Sequence, residues 1–295
     1  MQRKTAMHEK HVKSILSAKN GMNLYRGCTH GCIYCDSRSL CYQMDHVFED
    51  IEVKVNAPAL LEEALKKKRA PCMISTGSMC DPYLPLEKNR RLTRQCLERI
   101  AAHGFGATVL TKSDLVLRDM DLFRQINSKA KCVVQMTLTT FDESLCRIIE
   151  PNVCTTKRRY EALKAFQEQG IPTVVWLTPL LPFLNDTEEN LQGILGDCFD
   201  AGVKGIMTFG MGVTLREGDR EYFYQKLDEH FPGLKARYMA AFGNSYECPS
   251  PRQQTLMALF RRECAAQGVM SEPGEIFAYL SAFEDKTKGE QLSLL

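Results

Sequence analysis

Long hydrophobic runs are missing. Nothing in the 295 residues approaches the roughly 18 apolar positions that a membrane helix needs. Residues 1–19 also lack the apolar core of a secretory signal, so the expectation is a cytoplasmic protein that stays out of the membrane. Charge of one sign is scarce too: the formal net charge is +2, which permits a nucleic acid partner without predicting one. No G-x-G-x-x-G opens a helix after a strand, and no G-x-x-x-x-G-K-S/T occurs. Rossmann and P-loop nucleotide sites therefore lose their best support. With 44% hydrophobic and 25% charged residues, 19 Gly and 12 Pro, the chain is neither collagen-like nor largely disordered. No Pro/Gly/Ser-rich linker marks a second domain.

Cysteine, by contrast, is abundant. There are 13, an odd number, in a compartment where stable disulfides are uncommon. Cys28, Cys32, Cys35 and Cys41 lie close together, while the other nine are scattered, mostly in apolar segments where packing as small hydrophobes is the default.

The middle of the chain repeats one unit of apolar strand, polar or Gly-rich turn and amphipathic helix. Strands are expected at 22–26, 72–76, 107–111, 132–138, 173–177 and 205–209. Helices are expected at 58–68, 87–103, 119–127, 157–169 and 187–201. Gly104, Gly170 and Gly202 each follow a helical stretch, as a C′ glycine should. Pro58 suits a first helical turn, and Asp186 with Glu189 reads as a capping box. About six βα units fit either an open doubly wound sheet or a barrel, complete or partial. Residues 36–56 form a polar and aromatic excursion. Further helices are expected at 217–229 and 251–267. The organisation read from this is an N-terminal extension (1–21), a core (22–210) and a C-terminal helical extension with a polar tail (211–295).

The stretch Gly27-Cys28-Thr29-His30-Gly31-Cys32-Ile33-Tyr34-Cys35 contains C-x3-C-x2-C. Structural zinc usually takes four ligands in two separated pairs; Cys41 offers a fourth ligand, but the second pair is missing. Three tightly spaced thiolates fit a [4Fe–4S] cube held through three irons, with the fourth iron open. Gly27 and Gly31 would let the backbone turn closely around it. His30 reads as solvated or as a supporting residue rather than a ligand. Packed free thiols are the ordinary alternative, yet structural cysteines have no reason to gather in a Gly-bounded loop after a strand.

With an aromatic before the third cysteine, this motif resembles the radical S-adenosylmethionine (radical SAM) superfamily. That resemblance implies a partial (β/α)6 TIM-like barrel with the cluster on the loop after the first strand. It also implies S-adenosylmethionine chelated to the open iron and cleaved by one electron to a 5′-deoxyadenosyl radical that abstracts hydrogen. An electron donor such as flavodoxin or ferredoxin would supply that electron.

The likeness extends to the spore photoproduct lyase branch. It is carried by Asn23 to Cys28, by Ser75-Thr76-Gly77-Ser78-Met79-Cys80-Asp81-Pro82-Tyr83 with Pro85 and Glu87, and by Thr111-Lys112-Ser113 with Leu117-Arg118-Asp119. Glu150-Pro151, Arg158-Arg159, Pro179, Pro182, Asn185-Asp186 and Leu215-Arg216 continue it. The branch implies lyase or repair-type chemistry on DNA. Two positions depart from it: Ser78 stands where the lyase has its hydrogen-donating cysteine, and Asp36 stands in place of a tyrosine on the hydrogen-return path. Cys80 or Cys41 would have to substitute.

The segments 75–81, 111–113 and 137–140 each follow an apolar strand, at the end where α/β folds place their sites. Cys28, Cys32 and Cys35 are the expected cluster ligands. Ser75, Gly77, Ser78, Thr137 and Tyr34 are expected to line the S-adenosylmethionine site. The resemblance assigns Lys112 to that cofactor. Asp81 is read equally as a turn cap and as a catalytic group, and Trp176 as core. A radical enzyme acting on a peptide, metabolite or other cofactor is the alternative within the class. A zinc-stabilised binding protein using Cys28, Cys32, Cys35 and Cys41 is the alternative outside it. Finally, Gln291-Leu292-Ser293-Leu294-Leu295 resembles the short peptide by which bacterial repair enzymes dock on the sliding clamp. Packing of these leucines back onto the barrel explains them equally well.

Overall fold

The computed structural model describes residues 6–287; the clamp-like peptide lies outside them. Eleven strands are β1 (Met7–Lys10), β2 (Gly21–Met22), β3 (Tyr25–Arg26), β4 (Ile51–Lys54), β5 (Met73–Thr76), β6 (Gly106–Thr111), β7 (Cys132–Thr137), β8 (Thr173–Trp176), β9 (Gly205–Met207), β10 (Gly212–Thr214) and β11 (Glu247–Pro249). Six of them form one parallel sheet in the order β2-β5-β6-β7-β8-β9. Neighbouring strands are consecutive units of the βα repeat, so the sheet curls into a partial (β/α) barrel. Cys132–Thr137 is buried at all six positions, which explains the lack of alternation along that strand.

Helices fill the connections: α1 (Ala57–Lys67), α2 (Glu87–Arg90), α3 (Leu92–Ala102), α4 (Met120–Lys129), α5 (Glu143–Ile149), α6 (Thr156–Glu168) and α7 (Glu188–Asp200). The helix expected over 87–103 is broken at Arg91, whose φ of 52° lies in the left-handed region. The expected capping box at Asp186 is also displaced. Thr187 is the N-cap and accepts from the Asn190 N–H at 3.1 Å, whereas Asp186 is drawn off to Phe183 N and Ser250 Oγ. Gly104, Gly170 and Gly202 all have positive φ.

The strand expected at 22–26 divides. Met22 stays in the barrel, while Tyr25–Arg26 turns away to pair antiparallel with β4, which pairs parallel with β1. The excursion at 36–56 thus returns as a strand of a separate three-stranded sheet. Beyond β9 come β10, α8 (Asp219–His230), α9 (Leu234–Phe242), β11, which returns to pair antiparallel with β10, then α10 (Gln253–Gln267) and α11 (Pro273–Ser281). Among the described residues, no helix is long and apolar enough to cross a membrane.

Several motif residues form a buried polar network beside the barrel. Glu87 accepts from Tyr25 Oη, from Thr93 N at 2.9 Å and from Arg118 Nη2 at 3.1 Å. Asp119 accepts from Arg118 at 2.7 Å, Tyr83 Oη at 3.0 Å and Arg94 at 3.0 Å. Burial pushes the Glu87 carboxyl above its ordinary value despite these donors. Arg118→Ala should therefore destabilise the fold by about 3 kcal/mol, because it strands Glu87 without a counter-charge. The midpoint of urea unfolding checks this, and a loss below about 1 kcal/mol would contradict the network's structural role.

Candidate active site

The C-terminal ends of the parallel strands open into a cavity of about 720 Å³, within the range of small-molecule sites. Cys28, Cys32 and Cys35 line one wall with His30, Tyr34 and Asp36. Gly77 to Asp81, Thr111, Lys112 and Thr137 line the floor. Trp176, Phe209 and the β10–β11 pair complete the far side, where Cys248 is a buried thiol outside the cysteine motif.

Backbone shape makes this possible. Gly27 has φ 86°, and a Cβ there would meet the Phe48 carbonyl oxygen at 2.5 Å, the same oxygen that accepts the Cys28 N–H at 3.0 Å. Gly77 has φ 101°, and its Cβ would fall 2.0 Å from the Leu110 oxygen. Neither position admits a side chain.

The cysteine loop is strapped to residues 149–152. Ile33 N donates to Ile149 O at 3.0 Å, Asn152 N to His30 O at 3.1 Å, and Asn152 Nδ2 to Thr29 O at 2.9 Å. Between these contacts sits Glu150, buried, which accepts from Tyr34 Oη and pairs with buried Arg159 and, at 3.7 Å, with Lys112. Burial alone would raise its carboxyl; Arg159, Lys112 and Tyr34 outweigh that and hold it below the ordinary value. Arg159 also donates to Thr137 O at 2.8 Å and to Cys154 O at 3.1 Å. One ion pair thus joins the cysteine loop to the ends of two barrel strands.

Asp81 has its oxygens occupied. Thr111 Oγ1 at 2.6 Å and Tyr83 N at 2.8 Å donate to Oδ1, and Lys112 N at 2.7 Å donates to Oδ2. His30, buried, places Nε2 at 3.1 Å from Oδ2. Burial would raise the Asp81 carboxyl, but His30, Thr111 and Lys112 N hold it low. Its carboxylate ties the 111–112 segment to the loop after β5. His30 accordingly supports the site from behind and is not solvated.

Gly77, Ser78, Tyr34, Lys112, Thr137, Cys80 and Asp81 are brought together in the cavity wall, but Ser75 and Cys41 are not. The Ser75 side chain approaches Gly21 on the neighbouring strand. Cys41 is exposed, its sulfur 3.3 Å from Arg216 Nη1. Trp176, expected in the core, is half-buried in the wall and donates to Gln135 Oε1 at 2.7 Å. Cys248 and the strand that carries it, β11, gave no signal, because their place depends on tertiary packing of the last third of the chain.

Burial pushes the thiols of Cys28, Cys32 and Cys35 up, and for Cys28 the nearby Cys80, Cys35 and Cys32 thiols add to it. Bare, they are protonated; a metal's charge is what deprotonates such ligands. Thiolates on one tetrahedral zinc would stand roughly 3.8 Å apart. A cube that takes each thiolate on a different iron spreads them further apart. The glycine-shaped loop and the three-thiol donor set fit such a group.

The sequence model of the radical SAM superfamily matches residues 22–195. The chain belongs to this superfamily. An uncharacterized protein of Methanocaldococcus jannaschii is 38% identical over 176 residues, 59% of this chain and 65% of that relative. An uncharacterized protein of Mycobacterium tuberculosis is 29% identical over 259 residues, 85% of this chain and 75% of the relative. A spore photoproduct lyase mutant shares the fold with TM-score 0.64 at 14% identity, over 90% of this chain and 81% of that one. Spore photoproduct lyase complexed with dinucleoside spore photoproduct gives 0.61 at 14%, over 84% and 74%. This radical SAM protein thus has a lyase-like partial barrel, and membership of the superfamily supports enzymatic activity.

Because the Glu150 carboxyl is held below its ordinary value of 4.5, its ion pair contributes stability in full above that pH. The contribution falls away as the pH drops through the lower folded value. Glu150→Gln should cost about 3–5 kcal/mol at neutral pH, and that deficit should shrink as the pH is lowered below about 4.5. Unfolding free energies of both proteins across this range check the sign; a deficit independent of pH would contradict it.

Proposed function

We propose that this chain is a radical SAM enzyme whose Cys28, Cys32 and Cys35 hold a [4Fe–4S] cluster, with S-adenosylmethionine bound across Gly77, Ser78, Lys112 and Thr137. The observation that carries the reading is that these residues, from four separate segments, line one cavity at the strand C-termini. When bound and reduced by a donor such as flavodoxin or ferredoxin, the cluster supplies the electron that cleaves S-adenosylmethionine to a 5′-deoxyadenosyl radical. Lys112, its side chain mostly buried and its ammonium over the Tyr34 ring at 5.7 Å, meets the cofactor's carboxylate. Glu150 and Asp81 keep Lys112 in place from either side.

Nucleic acid is the substrate class we favour, and the lyase solved with dinucleoside spore photoproduct supports it by likeness of fold. Trp176 and the exposed Phe209, with ring centroids 5.9 Å apart on the open side of the cavity, offer the aromatic faces on which bases stack. Cys80 and Cys248 are the thiols in the wall outside the cluster motif, so hydrogen return falls to them rather than to Cys41.

After anaerobic reconstitution, Cys28→Ala, Cys32→Ala and Cys35→Ala should each lose most of the iron, and Cys41→Ala should keep it. Equal loss in the Cys41 variant would mean a fourth ligand there. Lys112→Ala should keep its iron yet bind S-adenosylmethionine about ten- to a hundred-fold more weakly, the worth of one charge-assisted bond; unchanged affinity would remove Lys112 from the site. Formation of 5′-deoxyadenosine should rise with ultraviolet-irradiated DNA over undamaged DNA. A rise with peptides alone would point to the other substrate class.

A further inference from the structure

Away from the cavity, behind the cysteine loop, three side chains converge that the proposed chemistry does not use. His8 on β1 and Glu52 on β4 are register partners in the parallel pair, so both lie on one face of the small sheet. His46 comes from the loop that precedes β4. One ligand atom from each of the three lies within 4.8 Å of the others, and the two imidazole rings meet edge to face at 4.8 Å.

We propose that His8, His46 and Glu52 bind one zinc ion, with an open fourth position. Hydrogen bonding around the two histidines leaves the required lone pairs free. His46 Nδ1 faces the Val47 carbonyl at 3.1 Å, which can only accept, so Nδ1 carries the proton and Nε2 is the lone-pair nitrogen. That Nε2 is buried and has no hydrogen-bond partner. His8 Nδ1 is 3.1 Å from Asp50 Oδ2, which fixes the same tautomer and frees its Nε2. A carboxylate or a backbone carbonyl on the far nitrogen is the usual support for a metal-bound imidazole. Glu52 is 2% exposed; Lys10 donates to its Oε2 at 2.7 Å, and the other oxygen is left for the metal. Two imidazoles and a carboxylate suit zinc with a water in the fourth position.

The site has a mechanical consequence. Phe48, two residues after His46, is the residue whose carbonyl holds the Cys28 N–H. Glu52 also faces Arg26 in the β3–β4 pair, directly ahead of Gly27. An ion here would pin β1 and the 46–50 loop against the strand that delivers the cysteine motif.

The test uses the full chain with its cluster reconstituted anaerobically, so that the motif cysteines are already occupied. After loading with zinc chloride and desalting, about one zinc per chain should remain. Its K-edge absorption fine structure should show nitrogen and oxygen neighbours at about 2.0–2.1 Å with imidazole scattering, and no sulfur shell at about 2.3 Å. His46→Ala and Glu52→Gln should each weaken zinc retention at least ten-fold without lowering iron content. No retained zinc, a sulfur shell, or retention unchanged in both variants would overturn the proposal. Because the wild-type fine structure is read independently, a poorly folded variant does not shield it.

Discussion

Two opposite charges taken out of water, Glu150 and Arg159, hold the site together. Neither side chain is exposed, and a buried pair of this kind survives only when its remaining hydrogen-bonding capacity is met. Here it is met by the residues that matter: Tyr34 from the cysteine loop, Lys112 from the end of β6, and the Thr137 carbonyl from the end of β7. The pair is weak as a source of net stability, since burial of both charges offsets most of their attraction. Its value is geometric. Three segments far apart in the chain must take one arrangement for either charge to be tolerated.

The same logic accounts for Asp81 and Glu87. Both are buried carboxylates that accept from backbone N–H groups and side chains of other segments, and so tie those segments together. The strand-end loops are therefore cross-linked through these carboxylates without the help of any ligand. The rim at Phe209, by contrast, is exposed and held only by ring contacts to Phe277 and Trp176.

The barrel was legible in the sequence because each of its units is local: an apolar run, a turn, an amphipathic helix and a C′ glycine such as Gly104, Gly170 or Gly202. The thiol motif and the strand-end segments were legible for the same reason. What could not be read depends on contacts distant in sequence. Strand β1 is a short polar stretch whose partner, β4, lies more than forty residues on, so neither announces the other. Glu150 carries no local sign that it is the hub, only a place in a motif; its role comes from Tyr34 and Lys112 reaching it in three dimensions. Ser75, expected in the site, lies inside β5 rather than in the loop beyond it, with its side chain beside its register partner Gly21. Trp176 looked like core because it sits inside an apolar run, yet β8 ends at it and its side chain joins the cavity wall.

In the proposed site three thiolates leave one iron open for S-adenosylmethionine, although a fourth thiol, Cys80, stands beside Cys28 with its S–H donated to the Gly27 carbonyl at 2.8 Å. Electron paramagnetic resonance of the reduced, reconstituted protein with and without S-adenosylmethionine tests it most directly. The account predicts a [4Fe–4S] signal whose g values shift when S-adenosylmethionine is added, and the same shift in Cys80→Ala. A wild-type signal indifferent to S-adenosylmethionine, becoming sensitive only when Cys80 is removed, would mean that Cys80 is the fourth ligand and would contradict the claim.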